Sequence, residues 1–88
     1  MKVEIKLLSW NIKYGYISWK IDLSDNMEEI FRGITKKAIN FLGKDISKRR
    51  VDWKRRRISI GKDKMRELKK GDVLEISKLN KAIIITKK

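Results

Sequence analysis

The side chains best suited to chemistry fall in one stretch, Lys48-Arg49-Arg50-Val51-Asp52-Trp53-Lys54-Arg55-Arg56-Arg57, with five of the seven arginines and one of three tryptophans. Guanidinium groups bind phosphate oxygens in bidentate fashion and stack on bases, and an interleaved indole adds a π-face. Lys48, Arg49, Arg50, Trp53, Lys54, Arg55, Arg56 and Arg57 are therefore the candidate nucleic-acid contacts. A solvated, charge-rich face is the plainer explanation for such a run. For Trp53 the choice is between stacking on a base and anchoring a basic loop to the body.

The charge is regional. Of the formal +13, residues 44–70 carry +9, from 13 basic and 4 acidic side chains, and the other 61 residues carry +4. Abundant Lys and Ile with no Cys and no Pro also fit a heat-adapted intracellular protein built on ion pairs. Four acids cannot pair thirteen bases, however, so heat adaptation does not account for this segment. A polyanionic partner would neutralise the excess and associate quickly.

Catalysis is disfavoured, because the chain has neither His nor Cys and so lacks the commonest general base and the most reactive nucleophile. The pairs Asp22/Asp25 and Glu28/Glu29 read more simply as helix-start residues than as an acid–base or metal centre. No phosphate-binding glycine loop occurs. The expectation is a protein with no catalytic residues, no metal and no cofactor.

The elements that must position the arginines can be read from periodicity. Val3, Ile5 and Leu7 alternate with Lys2, Glu4 and Lys6, a strand with one buried face. β-formers continue from Asn11 to Ile21, and either Ser9-Trp10-Asn11 or Tyr14-Gly15 could supply the turn or bulge of a hairpin. Trp10, Tyr14, Tyr16 and Trp19, with Lys13 and Lys20 nearby, could form a stacking platform. Trp19 is better read as core, since Ile17 and Ile21 share its face, while Tyr14 and Tyr16 alternate away. Ser24-Asp25-Asn26 supplies helix caps, and Met27, Ile30, Phe31, Ile34, Ala38, Phe41 and Leu42 recur at helical spacing up to Gly43. A helix over 27–42 is expected, with Gly33 inside it and with Lys36 and Lys37 projecting from it. Arg55–Ile60 reads as a strand with Ile58 and Ile60 inward, which leaves Arg55 and Arg57 as the exposed pair. A short helix over 62–68 and strands at 73–76 and 82–86 complete the pattern.

The segment Arg57-Ile58-Ser59-Ile60-Gly61-Lys62-Asp63-Lys64-Met65-Arg66-Glu67-Leu68-Lys69-Lys70-Gly71-Asp72-Val73-Leu74-Glu75-Ile76, followed by Ala82-Ile83-Ile84-Ile85, resembles the AbrB-type swapped-hairpin family over residues 52–88. That family has an R-I-x-I-P strand, a short helix, a K-x-G-D turn and a closing hairpin. Gly61 stands where it has proline. The resemblance implies a dimeric DNA-binding transcription regulator or antitoxin, with Arg57 at the family's basic first-strand position and Gly71-Asp72 at its turn.

The sequence thus predicts one α+β domain over 1–88, a small β-barrel-like or mixed sheet in the order β-β-α-β-(short α)-β-β. No segment approaches the length of a membrane span, and a cytoplasmic location is expected. The expected partner is nucleic acid, DNA more than RNA, bound by a homodimer. The alternatives are an antitoxin-like module docking an acidic protein and a binder of single-stranded RNA.

Overall fold

Alternation of apolar and polar residues carries most of the chain into one sheet. The computed structural model describes residues 2–32, 36–44 and 47–88. Eight strands occur in it: β1 (Lys2–Lys6), β2 (Ile12–Lys13), β3 (Tyr16–Ser18), β4 (Lys36–Phe41), β5 (Ser47–Asp52), β6 (Arg57–Ser59), β7 (Val73–Leu79) and β8 (Ala82–Lys87). Two helices, α1 (Ser24–Phe31) and α2 (Lys62–Met65), complete the α+β fold. The sheet runs β1-β7-β8-β4-β5-β6-β3-β2, with β4 and β8 parallel and the other pairs antiparallel. It is a mixed sheet whose end strands, β1 and β2, do not pair, so it is not a closed barrel.

One face is the core. Val3, Ile5, Ile17, Ile39, Phe41, Val51, Ile58, Leu74, Ile76, Ile83 and Ile85 are buried from seven strands, and α1 contributes Met27, Ile30 and Phe31 to the same cluster. The period-two pattern thus places half of each strand inward and leaves the other half for solvent or partners.

Two β-turns pin registers. Tyr14 and Gly15 (φ 53° and 80°) join β2 to β3, and Leu42 and Gly43 (φ 54° and 76°) follow β4, with the Lys44 N–H bonding the Phe41 carbonyl at 3.1 Å. Paired left-handed residues match the twist of antiparallel strands.

The expected long helix over 27–42 is not formed. α1 ends at Phe31, Arg32 leaves the helical region (φ −44°, ψ 131°), and Lys36–Phe41 is a central strand. Ala38 and Phe41 fit a helical stripe, but Lys37, Ile39 and Phe41 alternate inward as a strand, and hydrogen bonding from β5 on one side and β8 on the other decides between the two. The intervening Gly33-Ile34-Thr35 pairs a poor helix former with two β-branched residues; all three lie outside the described residues. The expected cap is also replaced. A 3-10 turn over Ile21–Leu23 leads into α1 without a side-chain cap.

Candidate nucleic-acid interface

β5, the turn 53–56 and β6 form an antiparallel hairpin in which Val51 faces Ile58 and Asp52 faces Arg57. Asp52 organises the turn. Its carboxylate accepts the Arg55 N–H at 3.1 Å and a guanidinium N–H of Arg55 at 3.1 Å, and lies 3.6 Å from Nε of Arg57. The Arg55 backbone N–H, its guanidinium and the charge of Arg57 hold the Asp52 carboxyl below the usual carboxylate range, against the upward push of burial.

Alternation splits the arginine run between two faces. Lys48 and Arg50 point outward from β5, and Arg49 points inward with Ser47 and Val51. The Arg49 Nε donates to the Ser47 hydroxyl at 3.2 Å, and its guanidinium lies beside Gly61, where a Cβ would sit 3.3 Å from it and 2.9 Å from the Asp63 carboxylate. Gly61 adopts φ 91°, ψ 147°, a conformation proline cannot take, which gives the departure from R-I-x-I-P a local cause.

Lys54 and Arg55 stand at the turn, Arg55 with 63% of its side chain exposed. Arg56 is half-buried at φ 49°, and its carbonyl accepts the Trp19 N–H at 2.9 Å. Arg57 departs from expectation: only 29% of its side chain is exposed, and its guanidinium lies 4.1 Å from the centroid of the Tyr16 ring, a cation–π contact. Of the expected exposed pair, Arg55 is available and Arg57 is a bracing residue.

Lys36 joins the outward set. It sits directly opposite Arg50, and Lys48 sits opposite Ala38. Among the described residues no carboxylate pairs with Lys36, Lys48, Arg50 or Lys54. Their neighbour Trp53 is half-buried and packs edge-on against Trp19 (5.5 Å, 81°) and Phe31 (6.2 Å, 71°), so it anchors the hairpin to the core. Its remaining surface lines an open groove of about 440 Å³ with Lys36, Arg50, Val51 and Asp52. An unpaired cationic row beside an indole can hold phosphates and offer an apolar wall to a sugar or base.

Lys37 was expected to project with Lys36. Instead it turns inward, 8% exposed, and burial followed by the nearby charge of Lys78 lowers its pKa.

The aromatics of the N-terminal strands divide. Trp19 is core; Tyr16 supports Arg57; Tyr14, at the tip of its turn, is 72% exposed. No helix among the described residues is long and apolar enough to cross a membrane. Comparison of the chain with protein-family models, with curated proteins and with solved structures returns no match.

Proposed function

We propose that this is a non-enzymatic nucleic-acid-binding protein that engages DNA through the outer face of β4 and β5 and the turn 53–56. The observation that carries the proposal is the facing pair Lys36 and Arg50 with Lys48 and Lys54, all without carboxylate partners among the described residues, beside the groove walled by Trp53. Like charges placed opposite one another on a sheet cost stability, and phosphates offset that cost. The AbrB-type resemblance of residues 52–88 adds the roles of transcription regulator and homodimer to the proposal.

Lys36, Lys48, Arg50, Lys54 and Arg55 supply five contacts, for which log affinity should fall against log salt with a slope of about −4.5. Fluorescence anisotropy with duplex DNA, single-stranded DNA and RNA at two salt concentrations tests this. Arg57 braces the hairpin through Tyr16 and Asp52, and Arg56 joins it to Trp19 through its backbone carbonyl, so the informative control is Lys36/Lys48/Arg50/Lys54→Ala. Tight, salt-sensitive binding that the variant loses supports the proposal. A slope near zero, or unchanged binding by the variant, rejects this surface. Single-stranded RNA is the second possibility, favoured by the exposed Tyr14 ring, and preference for it over duplex DNA would move the proposal there.

A further inference from the structure

The open side of the sheet lies far in sequence from the arginine run. Among the described residues β1 is an end strand, bonded only to β7. The Leu7 N–H donates to the Asp72 carbonyl at 2.7 Å, and Leu7 falls in the register that pairs Ile5 with Leu74 and Val3 with Ile76. Backbone groups alternate sides along an antiparallel strand. Val3, Ile5 and Leu7 therefore bond to β7, and the N–H and C=O groups of Glu4 and Lys6 point to the free side.

A groove of about 210 Å³ lies against β1, lined by Glu4, Ile5 and Lys6 together with Asn11, Lys20 and Leu23. Leu8 and Trp10 extend its apolar lining, 37% and 43% exposed. Lys20 Nζ lies 5.6 Å from the Trp10 ring centroid. An unpaired edge beside an apolar channel is a template for an added strand.

We propose that this groove receives an extended peptide of alternating acidic and apolar residues, which pairs with β1 as a ninth strand. Charge selects the occupant. Lys6 and Lys20 are exposed along the groove and Lys2 is exposed on the same face of β1, whereas Glu4, the one acid among the described residues that line it, is neutralised by Lys88 at 2.6 Å. Acidic side chains on the outer face would lie against Lys2 and Lys6, and apolar ones on the inner face against Ile5, Leu8 and Leu23. A second copy of β1 fits less well, because it would bring two more lysines and another +13 body to the same edge.

Lys6→Pro provides a clean test, since the Lys6 N–H points away from β7 and its loss leaves the β1–β7 ladder intact. The probe is the blocked peptide acetyl-Glu-Val-Glu-Ile-Glu-Val-amide, titrated into the 15N-labelled protein. Shift changes should centre on residues 4–8 and 20–23, with slowed exchange at the Glu4 and Lys6 amides. Lys6→Ala, which keeps the donor, should weaken binding a few-fold, and Lys6→Pro by about tenfold more. Changes confined to β4–β5 would show a mere counterion and overturn the proposal, as would no binding. The same amide protection without peptide, rising with protein concentration in step with the sedimentation mass, would overturn it in favour of self-pairing.

Discussion

The two halves of the sheet handle similar numbers of cations in opposite ways. On and beside β1, β7 and β8, Lys88 pairs with Glu4 at 2.6 Å and Lys87 with Asp72 at 3.5 Å. On β4 and β5, Lys36 faces Arg50 and Lys37 faces Arg49, and the outer pair has no acid among the described residues. Like charges directly opposite one another destabilise a sheet by a few tenths of a kcal/mol or more. Among the described residues of the first half no cation faces another across a strand pair: Lys2 lies opposite Ser77, Lys6 opposite Val73, Lys78 opposite Ile83 and Lys87 opposite Leu74. Accumulating cations uncompensated beside a partly exposed indole is therefore best explained by a ligand that supplies the missing charge.

Removing the uncompensated row should have the largest effect. With a slope of about −4.5, DNA affinity should fall about 500-fold between 50 and 200 mM salt. For Lys36/Lys48/Arg50/Lys54→Ala the same change should cost only about three- to fourfold, because a single contact remains. Lys2/Lys6/Lys87→Ala removes almost as much charge from the other half and should retain the steep dependence. Equal losses in both variants would make the interaction one of net charge, and the comparison of halves would collapse.

Lys37 and Arg50 sharpen the contrast within one strand pair. Lys37 is inward and 8% exposed, and burial lowers its pKa from the ordinary 10.5. A depressed lysine pKa means that the folded state holds this proton less tightly than the unfolded chain. Its charge thus costs stability at neutral pH, and the cost is relieved as pH rises through the folded value towards 10.5. Lys37→Met should raise stability by about 1 kcal/mol, or about 5 °C in Tm, flatten the alkaline rise and leave DNA affinity unchanged. Arg50→Gln should gain a few tenths of a kcal/mol by relieving Lys36 while reducing the salt slope by about 0.9. Thermal melts from pH 7 to 10, alongside anisotropy, separate the two.

How much of this was legible in the sequence depended on whether a segment had one periodicity or two. Val3, Ile5 and Leu7 alternate without competition, and the Tyr14-Gly15 turn and the closing β7–β8 hairpin follow from local residue types. Lys36–Phe41 satisfies both a strand and a helical stripe, so only its neighbours β5 and β8 resolve it, and these are distant in sequence. The same ambiguity hid β5, whose Lys48 and Arg50 alternate with Arg49 and Val51 in a stretch too polar to look like a strand. The arginine run marked the region of the interface, but membership turned on side-chain direction. Lys36 joined from across a strand pair, Arg49 turned towards Gly61, and Arg57 was claimed by Tyr16 and Asp52, partners that composition alone cannot assign.

Asp52 is the exception within the cationic half, and its effect should be the smallest. Among the described residues it is the one carboxylate on β4 and β5, and it is occupied by the turn: the Arg55 N–H, the Arg55 guanidinium and Arg57 together hold its pKa below the usual range. A depressed folded pKa contributes stability that is fully present above the unfolded value near 3.9 and is lost as pH falls through the folded value. Asp52→Asn keeps an oxygen for the Arg55 N–H and removes the charge, so it should cost about 0.5–1 kcal/mol at pH 7. That difference should shrink as pH falls below the unfolded value and through the lowered folded value, where the wild-type carboxyl takes up its proton. DNA affinity should hold or rise slightly, since a negative charge leaves the groove lined by Lys36, Arg50 and Trp53. If affinity instead falls with stability intact, Asp52 acts at the interface itself by orienting Arg55 towards the ligand, and the cationic half is a shaped site with its own acid, where the proposal has only a row of charges.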